Sequence, residues 1–188
     1  MTVRLPNRSP VALALAMFLM VLVQACQQPP RDAQTADATA DATASVDSIV
    51  LERSRCYGTC PAYRIRVAGT GDVAFESRNP GDSGRVATDR VTPDAVRGLL
   101  TQAAALGFDS LPEVIADDAR LCPDRATDHL TVTVTLFRPT GSKRVEDYLG
   151  CRASSDDSSN VTVRLRAFEN AVDSAAGSSR WLRPADRR

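Results

Sequence analysis

The stretch His129-Leu130-Thr131-Val132-Thr133-Val134-Thr135-Leu136-Phe137 decides the fold class. Leu130, Val132, Val134 and Leu136 share one parity, and Thr131, Thr133 and Thr135 share the other. A period of two marks a strand with one face in a core. Thr140-Gly141-Ser142 is turn chemistry, so Arg144–Leu149 reads as the returning strand of a hairpin. Upstream, Ile49-Val50-Leu51 is a short apolar run and a first strand. Tyr63, Ile65 and Val67 alternate with Arg64, Arg66 and Ala68 in a second strand. Gly69-Thr70-Gly71-Asp72 then turns the chain, and Val73 and Phe75 resume the alternation. Asn79-Pro80-Gly81-Asp82 leads to a weaker fourth strand around Arg85–Asp89.

Two helices complete the pattern. Thr92-Pro93-Asp94 is a helix start: the threonine caps, the proline suits the first turn and the acid suits the positive end of the dipole. Val96, Leu99, Leu100 and Ala103 follow at helical spacing, and Gly107 ends the run. A second helix begins near Asn160, carries Val161, Leu165, Phe168 and Val172 on one stripe, and ends near Gly177. Trp181 and Leu182 are expected to pack on that helix or on the sheet edge. The expected class is α+β, order ββββαββα, a mainly antiparallel sheet with two helices packed on one face. This single domain spans residues 47–183, and residues 184–188 form a flexible tail.

The amino terminus reads as an address. Arg4 and Arg8 precede an unbroken apolar run from Val11 to Val23, too short to span a bilayer, which takes about 20 residues. A basic region followed by a short apolar run is a secretory signal, here residues 1–25. Leu22-Val23-Gln24-Ala25-Cys26 resembles the bacterial lipobox, which makes Cys26 the lipidated residue. Acyl chains contribute about 0.8 kcal/mol per buried methylene, and several chains together anchor stably. In bacterial lipoproteins an aspartate after the cysteine signals inner-membrane retention. Gln27 therefore implies the outer membrane, facing the periplasm. Residues 26–46 carry the lipid and then an Ala/Asp/Thr tether, disordered because it has nothing large and apolar to bury. Its coil reach is roughly 25 Å.

Charge and cysteine content narrow the function. The chain has 23 basic and 23 acidic side chains, so it lacks the electrostatic footprint of a nucleic-acid binder. His129 is its one histidine, which leaves His-rich metal centres out and makes any Ser-His-Asp triad depend on that residue. With Cys26 assigned to lipid, Cys56, Cys60, Cys122 and Cys151 remain, an even set in an oxidising compartment. Four cysteines allow three connectivities, and geometry leans to Cys56–Cys60 and Cys122–Cys151. The first pair brackets a small turn between two strands. The hairpin about Thr140 brings Cys151 back near Asp128, within reach of Cys122 through a short loop. A redox-active Cys56/Cys60 pair is the sharper alternative, although its three spacers and flanking strands differ from a Cys-x-x-Cys at a helix start. A four-cysteine zinc site lacks a second close pair.

Cys56-Tyr57-Gly58-Thr59-Cys60-Pro61-Ala62-Tyr63 and the Gly71-Asp72-Val73 turn resemble a bacterial lipoprotein family, domain of unknown function 6438. Further matches are Thr127-Asp128, Val145-Glu146-Asp147-Tyr148-Leu149-Gly150, Phe168-Glu169-Asn170-Ala171-Val172-Asp173 and Arg180-Trp181-Leu182. The resemblance implies an envelope location and a shared fold, and it transfers no catalytic residue.

Other candidates have plainer readings. His129 is a partly exposed strand-boundary residue beside Asp128. Asp117-Asp118 and Asp156-Asp157 are solvated loop acids that do not fit a calcium loop. The Thr131, Thr133, Thr135 row reflects strand propensity more than a binding face. Arg64 and Arg66 opposite Glu76 read as exposed cross-strand pairs of small value. Asn160-Val161-Thr162 is a glycosylation sequon without meaning in an ordinary bacterial envelope. The sequence thus predicts a lipid-anchored envelope protein with a disulfide-stabilised, non-catalytic binding or structural domain. No catalytic residue, metal ligand or cofactor is assigned. The expected partners are the membrane, through the lipid on Cys26, and an envelope protein, not nucleic acid. The alternative is a periplasmic thiol–disulfide exchanger using Cys56 and Cys60.

Overall fold

Alternation along the chain translates into central strands with one apolar face each. The structure is a computed structural model that describes residues 47–152 and 160–182. The signal, Cys26, the tether, Asp156-Asp157 and the carboxy-terminal tail lie outside these described residues. Among the described residues, the first four strands are β1 (Ser48–Arg53), β2 (Tyr63–Ala68), β3 (Asp72–Ser77) and β4 (Val86–Arg90). Helix α1 (Pro93–Leu106) follows, then β5 (Asp124–Arg125), β6 (Thr131–Arg138), β7 (Gly141–Tyr148), β8 (Cys151–Arg152) and α2 (Val161–Ala176). Six of the strands form one antiparallel sheet in the order β4-β3-β2-β1-β6-β7. The fold is α+β, as its patterning predicts.

Register sorts side chains cleanly. Ile49 and Leu51 of β1 sit opposite Val67 and Ile65 of β2 on one side and Leu136 and Val134 of β6 on the other. Val73 and Phe75 of β3 and Val145 of β7 continue the same face. Val96, Leu99, Leu100 and Ala103 of α1 and Leu165, Phe168 and Val172 of α2 join it in one core cluster. Both helices therefore cover one face of the sheet. Phe108 and Phe168 meet edge-on at 5.8 Å, and Phe75 bridges Tyr63 and Trp181. Trp181 and Leu182 seal the core as expected.

The helix ends carry their caps. Thr92 Oγ1 accepts from the Ala95 amide, Pro93 opens α1, and Gly107 closes it in the left-handed conformation. Asn160 Oδ1 accepts from the Thr162 amide and hydroxyl at the start of α2, and Gly177 ends it. The sequon is thus an N-cap. Gly71 is required at the β2–β3 turn: its φ is +90°, and a Cβ there would collide with the Val91 carbonyl.

Three details differ from the sequence expectation. β6 begins at Thr131 instead of His129, because the His129 amide donates to the Tyr148 hydroxyl and Asp128 takes a φ of +68°. β7 begins earlier, at Gly141, because register runs through Arg138 and Gly141 and leaves a turn of Pro139 and Thr140. The two-residue strands β5 and β8 pair with each other as a separate ladder, which carries no hydrophobic period to announce it.

That small ladder brings the second cysteine pair together. Arg125 sits opposite Cys151, and Cys122 bonds Cys151 with a Cα separation of 4.9 Å. Cys56 bonds Cys60 across the β1–β2 loop at 5.6 Å. These are the pairs that the spacing favoured. Cys122 and Cys151 are 29 positions apart, and closing that loop is worth about 3.7 kcal/mol in the chain-entropy model. The tight loop, with a separation of 4, is worth about 2 kcal/mol in the same model. Urea unfolding should therefore show a larger stability loss for Cys122→Ser/Cys151→Ser than for Cys56→Ser/Cys60→Ser. The reverse ranking contradicts this account.

Candidate functional site

The sheet has a second face that no helix covers in the described residues; Val50, Ala74, Val86 and Phe137 lie on it beside a band of polar side chains. Reading across the strands in register, Glu76 of β3, Arg64 of β2, Glu52 of β1, Thr133 of β6 and Glu146 of β7 form one row. Beyond β7, Val114 makes an isolated parallel bridge to Glu146, which carries the row past the last strand. Alternation dictates this arrangement: each of these residues neighbours a buried residue that points the other way.

Two shallow clefts open on this face. The first, of about 470 Å³, is lined by Glu52, Arg53, Ser54, Arg55, Ala62, Arg78, Thr131, Thr133 and Glu146. The second, of about 410 Å³, is lined by Val114, Ala116, Asp117, Arg125, Ala126, Thr127, Asp128, Thr131, Glu146 and Tyr148. Thr131 and Glu146 belong to both, so the clefts are neighbouring parts of one groove. The groove crosses the strands over roughly four strand spacings, about 20 Å.

Hydrogen bonds fix the groove's floor and walls. The Thr131 amide donates to Ser54 Oγ at 2.8 Å, where β1 leaves the sheet. Arg144 donates to Thr133 Oγ1 at 3.4 Å and to Glu146 at 2.7 Å. Glu52 stands 3.4 Å from both Arg64 and Arg78, and Arg78 reaches Glu76 at 3.8 Å. Arg64 thus pairs with Glu52 on β1 and not with Glu76, which sits directly opposite it on β3. Arg66 faces Ala74 and Val50, so the expected pairing with Glu76 does not form there either. At the far end the Tyr148 hydroxyl donates to the Ala126 carbonyl, and His129 packs edge-on against the Tyr148 ring.

The Cys56–Cys60 loop stands beside the first cleft. Arg55 and Ala62, which flank it, both line the cleft, and Tyr57 at its tip is 90% exposed. The disulfide holds this loop between two strands, with no helix start beside it.

The other polar cluster lies under α2, part-buried around Arg53 and Asp173 and fully buried at Asp147. Arg53 donates to Asp173 at 2.8 Å, Tyr63 donates to the same carboxylate at 2.9 Å, and Arg53 also reaches Asn170. Arg166 donates to Asp147 at 2.9 Å and to the Cys151 carbonyl at 2.9 Å. Asp147 is fully buried and Glu169 almost so. Burial first, and then the neighbouring Asp147 charge, push the Glu169 carboxyl up to about 9. Burial, with Asp173 beside it, also pushes the Tyr63 phenol up. This cluster ties β1, β2 and β7 to α2, and Arg53 belongs both to it and to the lining of the first cleft.

The remaining sequence candidates fall apart spatially. Asp118 is engaged by the Arg120 side chain and amide, which hold its carboxyl down at about 2. Among the described residues no group of three or more His, Cys, Asp or Glu side chains could hold a metal ion. No described helix is long and apolar enough to cross a membrane. Sequence reasoning assigned the threonine row to strand propensity, yet Thr131 and Thr133 are at the centre of the groove. Glu52, Arg78 and Glu146 were missed as lining residues, and the available signal was their shared parity opposite the apolar positions.

Comparison with known proteins agrees with the motif reading. A family model with the description Domain of unknown function (DUF6438) matches residues 47–176. No curated protein matches the chain.

The buried acid gives a pH prediction. Folded Glu169 keeps its proton up to about pH 9, whereas its ordinary value is 4.5. The folded state therefore holds more protons between those values, and its contribution to stability is complete below about pH 4.5 and lost as pH rises through about 9. Unfolding free energy should decline over that window, and Glu169→Gln should flatten the decline. An unchanged pH profile in the variant contradicts the protonated assignment.

Proposed function

Because the chain belongs to the DUF6438 family, whose description assigns no activity, we propose a function from the domain's own chemistry. The protein is a lipid-anchored envelope protein, attached through Cys26 and facing the periplasm at the outer membrane, whose domain binds its ligand in the groove on the open sheet face. The observation that carries the reading is this long polar groove, bordered by a disulfide-held loop with an exposed tyrosine. The lipobox-like Leu22–Cys26 and the Ala/Asp/Thr segment after it support the anchor and the tether. Two disulfides in a domain of this size suit an oxidising compartment.

Two measurements test the two halves of the reading. Radiolabelled palmitate should enter the wild-type chain and not Cys26→Ala; label in the variant contradicts the anchor. The unlipidated Cys26→Ala chain, added back to washed envelopes, should be retained, and adding Glu52→Ala and Glu146→Ala should reduce retention several-fold. Equal retention contradicts the groove.

The exposed tip of the Cys56–Cys60 loop favours one second reading, thiol–disulfide exchange at that pair. Its reduction potential decides: a structural bond lies below about −300 mV, and exchangers lie between roughly −270 and −120 mV. The binding reading expects the former.

A further inference from the structure

We propose that the groove binds a linear, neutral glycan chain laid across the strands. This rests on the reading of the open sheet face as the binding site. Shape gives the first argument. Small-molecule sites are enclosed and mostly apolar. This groove is shallow and runs about 20 Å across the sheet, a form that suits a stretch of polymer.

Chemistry gives the second. The floor offers hydroxyls from Thr131 and Thr133, carboxylates from Glu52 and Glu146, and a guanidinium from Arg78. A sugar hydroxyl both donates and accepts, and this mixture satisfies both capacities at neighbouring positions. Across the two clefts the lining carries four acidic and four basic side chains, and Glu52 and Glu146 are paired with Arg78 and Arg144. Such a surface has no strong field for a polyanion, whose binding depends on clustered unpaired cations. It has no extended apolar patch for a lipid or an amphipathic helix.

The rings give the third. Tyr57 is 90% exposed, so its position contributes nothing to the core. The Cys56–Cys60 bond nevertheless holds its loop beside the groove. A constrained aromatic offers a broad amphipathic surface at low entropic cost. The carbon-bound hydrogens of a pyranose face pack on such a ring. Tyr148 supplies a second ring in the other half of the groove, with its hydroxyl pinned to the Ala126 carbonyl.

An extended peptide fits less well. Peptides joined by strand addition use the free backbone groups of a sheet edge. The groove crosses the face instead, where the backbone groups of β1 and β6 are engaged on both sides. Recognition there falls to side chains.

The test uses the full chain carrying Cys26→Ala, titrated calorimetrically with a β-1,4-linked hexamer of N-acetylglucosamine, a β-1,4-linked hexamer of glucose, and the dimer of each. At least one hexamer should bind, at least tenfold more tightly than its dimer. Tyr57→Ala and Glu146→Ala should each weaken that binding about tenfold while far-ultraviolet circular dichroism stays as in the parent. Tenfold corresponds to about 1.4 kcal/mol. Binding that both variants leave untouched overturns the assignment of this groove. Failure of both hexamers at millimolar concentration overturns the glycan proposal, and retention on envelopes that still depends on Glu52 and Glu146 shows that the groove reading survives it.

Discussion

β1 has a hydrogen-bonded neighbour along both edges, and the rest of the domain is arranged about that fact. Its partner on one side, β2, is next in sequence; its partner on the other, β6, begins 78 positions after Arg53. The β1–β6 ladder therefore joins the amino-terminal meander to the later hairpin. It also closes a long loop, with an entropic cost that grows slowly with length. Ile49 and Leu51 are fully buried, and each meets core residues across both ladders. A register slip by one residue along β1 would turn those side chains to the opposite face and bring Glu52 into the core.

The same parity makes the two faces of the sheet chemically different. On the helix side, Arg53 and Tyr63 converge on Asp173, and Arg166 secures Asp147 beneath α2. Burying such groups costs desolvation, and leaving one of them without its partner would cost far more. Arg166 also bonds the Cys151 carbonyl, so the second disulfide and α2 hold the same stretch of chain. On the opposite side, the residues between the apolar positions align into the row from Glu76 to Glu146. The core and the groove are thus two consequences of one register.

Much of the fold was legible because short-range physics wrote it. Thr92-Pro93 and Asn160 cap the helices, Gly107 and Gly177 end them, and the alternation in Tyr63–Val67 and Leu130–Leu136 marks the strands. The β5–β8 ladder was not legible, because two residues of Asp-Arg and Cys-Arg carry no period. The groove was legible only in pieces. Thr131, Thr133 and Arg64 stood out individually. Glu52, Arg78 and Glu146 lie far from them in sequence and become neighbours only when β1, β2, β6 and β7 are placed side by side.

The sequence by itself determined the long strands and both helices, their apolar faces, the motif that marks the family, and a cysteine spacing that favoured one pairing over two others. These properties depend on residues within a turn or a hairpin of one another, where capping, periodicity and local geometry act. Only the tertiary structure decided the strand order, the partner of Arg64, the raised Glu169 carboxyl and the groove. Each of these depends on which distant segment lies alongside, and that choice is made by burying the whole core at once.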